Sequence, residues 1–138
     1  MDNIKERFRQ YQEAIEASNI VSKTDTNGTI TFVNDEFCKM SGFTREELIG
    51  ANHNIVRHPE VPKEVFARLW DTILAKKVHK GTIRNRTKDG RDVYLNTTII
   101  PILDLSGQIE EFLAIRYDVT DVINLNNELK KTKKELLN

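Results

Sequence analysis

NIVSKTDTNGTITFVNDEFCKMSGFTREELIG, residues 19–50, changes from strand-like to helix-like patterning within one stretch, and that change decides the fold. Two short β-prone runs, residues 20–24 and 29–33, flank Asp25-Thr26-Asn27-Gly28. The Asn-Gly pair predicts a tight antiparallel hairpin whose turn residues take positive φ angles. Behind the hairpin the chain breaks into short pieces. Phe37, Met40 and Phe43 are apolar, and Gly42 stops a helix. Thr44, followed three residues later by Glu47 and then by Leu48 and Ile49, forms a capping-box signature. Single-turn helices are expected there.

Downstream, Gly50 opens the polar stretch ANHNIVRHPEVP, whose Pro59 and Pro62 prevent a long helix. Residues 63–77 read as the main internal helix, because Val65, Phe66, Leu69, Trp70, Ile73 and Leu74 recur on one face. Three β runs follow, at residues 78–87, 91–103 and 108–119. Their connections, Lys88-Asp89-Gly90 and Asp104-Leu105-Ser106-Gly107, carry turn chemistry, which predicts a meander.

At the two ends the spacing is helical. Ile4, Phe8, Tyr11, Ile15 and Ser18 form one narrow apolar stripe, with Asn19 placed to end the helix. Val122, Leu125, Leu129, Thr132 and Leu136 make a heptad seam with one polar position. It covers only about two and a half heptads, too little to be stable alone. The seam is therefore expected either to continue in a longer coiled coil of a larger protein or to dimerise.

This order of elements predicts an α+β architecture: a five-stranded antiparallel sheet with short helices on one face and flanking N- and C-terminal helices. The expected division is a cap or dimerisation helix (1–18), a folded domain (19–119) and the start of a coiled-coil linker (120–138). Along residues 91–103, Val93, Leu95, Thr97 and Ile99 alternate with Tyr94, Asn96, Thr98 and Ile100, so both sheet faces carry apolar groups. One face covers a pocket under the helices; the other needs the N-terminal stripe, folded back or supplied by a second copy.

Composition narrows the function classes. The chain has 138 residues with 21 Lys plus Arg and 21 Asp plus Glu, so its net charge is zero, which speaks against a dedicated nucleic-acid binder. No stretch is apolar enough to insert in a membrane, the N-terminus lacks an export pattern, and a cytoplasmic location is expected. The single Cys38 reads as a small core filler. His53 and His58 match no metal-ligand spacing. No pair of carboxylates converges, so neither a metal site nor catalysis is expected.

Candidate binding residues fall in two places. Two readings stand for Arg57 and His58: either the guanidinium faces a phosphate or carboxylate of a ligand, or Arg57 pairs with Glu60 or Glu64 while His58 caps a turn. Period-two alternation puts His79, Gly81, Ile83 and Asn85 on one strand face, with His79 and Asn85 lining the pocket. Trp70 joins this set from the long helix. In a ligand-free relay module, Phe66, Trp70 and Ile83 would instead fill the hollow.

DTNGTITFVNDEFCKMSGFTREELIG, the helix ending LWDTI, the meander and the closing Asp118-Val119-Thr120 together resemble the PAS family of sensory domains. Residues 52–62, NHNIVRHPEVP, resemble the PHNxVRHPDMP segment of the aerotaxis-receptor type, which implies noncovalent FAD and redox reporting. Carried across, Asn34, Arg57, His58 and Asn85 match family positions near the flavin. Two positions depart from the pattern. Glu60 stands in place of Asp, and His79 in place of a Trp whose flat wall would stack on the ring. The two stripes and the apolar outer sheet face lead to the expectation of a homodimer through the N-terminal helix, outer sheet face and C-terminal coiled coil. Asp118 and Thr120 would then hand the signal to an output domain such as a kinase, cyclase or chemoreceptor.

Overall fold

The computed structural model describes residues 2–137. Helix α1 (Asp2–Ser18) precedes strands β1 (Ile20–Thr24) and β2 (Ile30–Val33), short helices α2 (Asp35–Ser41) and α3 (Arg45–Leu48), and a 3-10 turn (His53–Val56). Helix α4 (Lys63–Leu74), strands β3 (His79–Arg86), β4 (Asp92–Leu103) and β5 (Ile109–Asp118), and helix α5 (Thr120–Leu137) complete the chain. The five strands form one antiparallel sheet in the order β2-β1-β5-β4-β3. The meander therefore closes onto the first hairpin, with β5 in the centre.

Local chemistry accounts for the joints. Gly42 ends α2 in the left-handed conformation at φ 78°, and Thr44 and Glu47 make both hydrogen bonds of the capping box at α3. The first hairpin departs from expectation. Only Gly28 takes a positive φ there; Asn27 does not. The Asp25 carboxylate accepts hydrogen bonds from the N–H groups of Asn27 and Thr29 at 2.9 and 3.0 Å, so an Asx turn with a bulge at Lys23/Thr24 replaces the tight two-residue turn. Helix α4 also stops earlier than its spacing predicts. Its last turn unwinds through Ala75 and Lys76, and Lys76 is held at φ 64° with no glycine to relieve the strain.

The apolar interior divides in two. Under α2 and α3, Ile20, Ile30, Val33, Phe37, Leu48, Val56, Val93 and Leu95 form a dry cluster, with Cys38 packed half-buried against it. Under α4, Leu69, Ile73 and Phe112 pack with Trp70, Ile83 and Ile99.

Helix α1 leaves its stripe bare: Ile4, Phe8 and Tyr11 remain 64–70% exposed, so the helix does not fold back over its own sheet. On α5, Val122, Leu125, Leu129 and Leu136 are exposed as well. No helix among the described residues is long and apolar enough to cross a membrane.

Candidate functional site

A cavity of about 90 Å³ opens between the inner sheet face, the 3-10 turn and α4, lined by the second apolar cluster and touched by Val56 of the first. The pleat selects one wall. Cross-strand register aligns Thr97 with Arg116, Ile99 with Ala114, Ala114 with Ser22, and Ile83 with Leu95, so alternate residues of four strands share the inner face. From α4, Phe66 and Trp70 close the other side. Trp70 meets Phe112 edge-on at 5.7 Å, and its ring lies 3.1 Å from where a Cβ on Gly28 would sit. Gly28 is therefore needed twice, for its φ of 84° and for this close approach.

Four of the expected binding residues reach the cavity: Arg57, Trp70, Ile83 and Asn85. A backbone bridge between Arg57 and Asn85 pins the polar loop to β3. Arg57 makes neither of the ion pairs considered from sequence. Its guanidinium carbon stands 3.6 Å from the Phe66 ring centroid, while Glu60 pairs with Arg84 at 3.0 Å. Buried Asn85 is 5% exposed.

Asn34, His58 and His79 are placed elsewhere. Asn34 caps α2: its Oδ1 accepts from the N–H groups of Phe37 and Val21, both at 3.0 Å, and its Nδ2 donates to the carbonyls of Glu16 and Asn19. With these bonds made, its amide joins α1, β1 and α2 and does not face the hollow. His58 is a clamp. Its Nδ1 accepts from the Glu60 N–H at 3.0 Å, which sets the tautomer that donates Nε2–H to Asp92 Oδ1 at 2.9 Å. His79 shares the inner face with Ile83 and Asn85 but lies at the far end of β3. There its ring covers Gly81, and partial burial lowers its pKa.

The structure also brings to the wall three residues that the sequence reading did not assign to it: Ser22, His53, weighed there only as a metal ligand, and Arg116. Arg116 is 2% exposed and makes no ion pair among the described residues. Its Nη2 donates to His53 Nε2 at 2.8 Å, and its guanidinium carbon lies 5.3 Å from the Phe37 ring centroid. Desolvation lowers its pKa to about 10, so it stays charged at neutral pH. Burial, then the charges of Arg116 and Arg57, push the His53 imidazole down to about 3, so it serves Arg116 as a neutral acceptor. The signal for Arg116 was present in the alternation Phe112, Ala114, Arg116, which carries an arginine into an otherwise apolar inward row.

Among the described residues, three buried side-chain atoms lack a partner within the protein: Ser22 Oγ, Arg57 Nε and Arg116 Nη1. All three residues line this one cavity. A buried polar atom left unmatched costs about 1–3 kcal/mol, and more when charged. Folding alone gives no return on that cost. Among the described residues, no cluster of three or more His, Cys, Asp or Glu side chains is placed to hold a metal.

The junction to α5 is equally specific. Thr120 Oγ1 accepts from the Tyr94 N–H at 2.9 Å, the Val119 N–H donates to the Tyr94 carbonyl at 2.8 Å, and Asp118 Oδ1 accepts from the Thr120 N–H at 2.8 Å. Val119 and Thr120, three and four positions beyond cavity-lining Arg116, thus continue the β4–β5 pairing into the start of α5.

Comparison with known proteins places this geometry. The chain is 37% identical to the aerotaxis receptor of Escherichia coli K12 over 74% of its own length and 20% of that protein's. A PAS domain from Colwellia psychrerythraea superposes with a TM-score of 0.75 at 23% identity, covering 83% of this chain and 98% of that one. A light-oxygen-voltage domain structure from work on a flavin analogue gives 0.71 at 18% identity, over 86% of this chain and 90% of that one. The chain spans about a fifth of the length of the curated relatives it matches. A family model of the PAS fold matches residues 6–119, the interval that holds the sheet and the cavity and ends at the junction to α5, and the chain belongs to the PAS family of sensory domains.

Proposed function

We propose that this domain holds a ligand in the cavity beneath α4 and passes the ligand's state through Asp118 and Thr120 to α5, as part of a longer signalling protein. The observation that carries the reading is the convergence of Ser22 Oγ, Arg57 Nε and Arg116 Nη1, three unmatched buried atoms, on one cavity. A structural connector has no use for such a wall. Occupancy would favour one arrangement of β4 and β5, and the Tyr94–Thr120 bond ties that arrangement to the start of the helix. The deciding experiment is denaturing mass spectrometry of small molecules released from the purified protein, with an absorption spectrum. Asp118→Ala is expected to leave the bound molecule in place and to uncouple the output of the full-length protein. Retained signalling in that variant would remove the hand-over role.

Resemblance to the aerotaxis-receptor type makes FAD the first cofactor to test, and a yellow sample would identify it. The donors suit a flavin edge: the Asn85 amide with Arg57 and Arg116. The space does not. Pockets for ligands of that size run to roughly 300–1,000 Å³, against about 90 Å³ here. A fused ring system enters only if Trp70 and Phe66 swing away, and His79 offers no replacement wall.

The bare stripes on α1 and α5 support a second copy of this chain as their occupant, since both repeat at three- and four-residue spacing and both remain exposed. Sedimentation analysis should give a dimer, and Leu125→Lys with Leu129→Lys should give a monomer.

A further inference from the structure

We propose that the cavity selects a small oxyanion, namely the carboxylate of a short organic acid, held between Arg57 and Arg116 with its apolar end toward α4. This rests on the ligand-holding reading above and adds the chemical class of the ligand.

Charge is the first ground. Two guanidinium groups face the hollow, and no Asp or Glu stands among the residues that line it. The two contacts of the Arg116 guanidinium, the His53 ring nitrogen at 2.8 Å and the Phe37 face, are neutral. Arg57 likewise rests on the Phe66 ring. Aromatic faces and a neutral imidazole orient a guanidinium without neutralising it. Water can satisfy the free N–H groups, but only an anion balances the charge.

Position is the second ground. Arg116 follows Phe112 and Ala114 in an inward row where a packing residue would serve the fold better. It is held at Nη2 and leaves Nη1 free, while Arg57 leaves Nε free and Ser22 adds a hydroxyl from β1. Donors of this kind recognise carboxylate oxygens. Across the hollow, Leu69, Trp70 and Ile73 of α4 offer a mainly apolar surface, continued by Phe112 on the sheet side. About 90 Å³ admits a few non-hydrogen atoms, which suits a short acid, whereas a fused ring needs Trp70 and Phe66 to move.

The test is calorimetric titration and thermal unfolding of the purified chain with butyrate, its neutral isostere butyramide, succinate, inorganic phosphate and riboflavin. Butyrate or succinate should bind and raise the melting temperature, and butyramide should do neither. Arg116→Met should weaken acid binding roughly tenfold to hundredfold while melting higher than the unaltered chain in the absence of ligand. Arg57→Gln should weaken binding with its own stability little changed, which keeps the test open if the first variant misfolds. Binding of phosphate with no response to either acid would keep the oxyanion chemistry and assign it an inorganic source. Equal binding of butyrate and butyramide would overturn the proposal, as would acid binding that survives in both variants. Riboflavin binding undiminished in Arg116→Met would also overturn it, while leaving the ligand-holding reading in place. No binding by any probe, with no small molecule released on denaturation, would overturn both.

Discussion

The two halves of the sheet's inner face are built from the same strands yet solve different problems. Under α2 and α3, Phe37, Leu48 and Leu95 are wholly buried and the space is filled. Under α4, other inward residues of the same sheet, among them Ile83 beside Leu95, enclose a hollow edged by Arg57 and Arg116. The filled half stabilises the fold. The other half retains unmatched donors, a loss of stability that the filled half must offset. Function is therefore sought where packing is worst, and Phe37 marks the border, since it sits in the filled cluster and also faces Arg116.

Paired truncations give the most direct way to break this comparison. Leu48→Ala, in the filled half, should cost about 3–4 kcal/mol in urea unfolding, and Leu69→Ala, beside the hollow, closer to 2, because fewer contacts are lost where atoms are already missing. Equal losses would mean that the halves are packed alike. Acid titration sharpens the same point. The folded-state pKa of His53 is lowered to about 3 from an ordinary value of 6.5. Its neutral form is therefore favoured by folding, and the contribution is complete above about pH 6.5 and lost as the pH falls toward 3. Stability should drop by about 2 kcal/mol on going to pH 5, and His53→Asn should flatten that slope in unfolding measured across the range.

A smaller effect is expected at the hairpin. Gly28→Ala must both adopt a left-handed backbone and press on Trp70, and should cost about 1–2 kcal/mol in thermal unfolding. The smallest effect lies outside both halves. Lys76→Gly, which relieves the strained end of α4, should add about 0.5–1 kcal/mol in the same measurement.

Much of the framework was legible because its causes are local. Gly42 and the Thr44–Glu47 box act through hydrogen bonds within a few residues, and the turns of the meander are short and chemically distinct. The first hairpin was less so. Asp25 competes for the turn's N–H groups, and an Asn-Gly pair cannot reveal how that competition ends. Alternation placed Ile83 and Asn85 correctly on the inner face. The same alternation could not show that His79 lies too far along β3 to reach the cavity, since period two fixes a face and not a depth.

By itself, the sequence determined the order of elements, the antiparallel meander, the caps and the family, since each depends on spacing or on contacts a few residues apart. Only the tertiary structure decided which polar side chains are already satisfied. Asn34 and His58 find partners from distant segments, Glu16 and Asp92, and become clamps. Ser22, Arg57 and Arg116 keep a donor without one. Whether a buried donor is matched depends on every element that packs around it, and that sum forms only when the sheet closes.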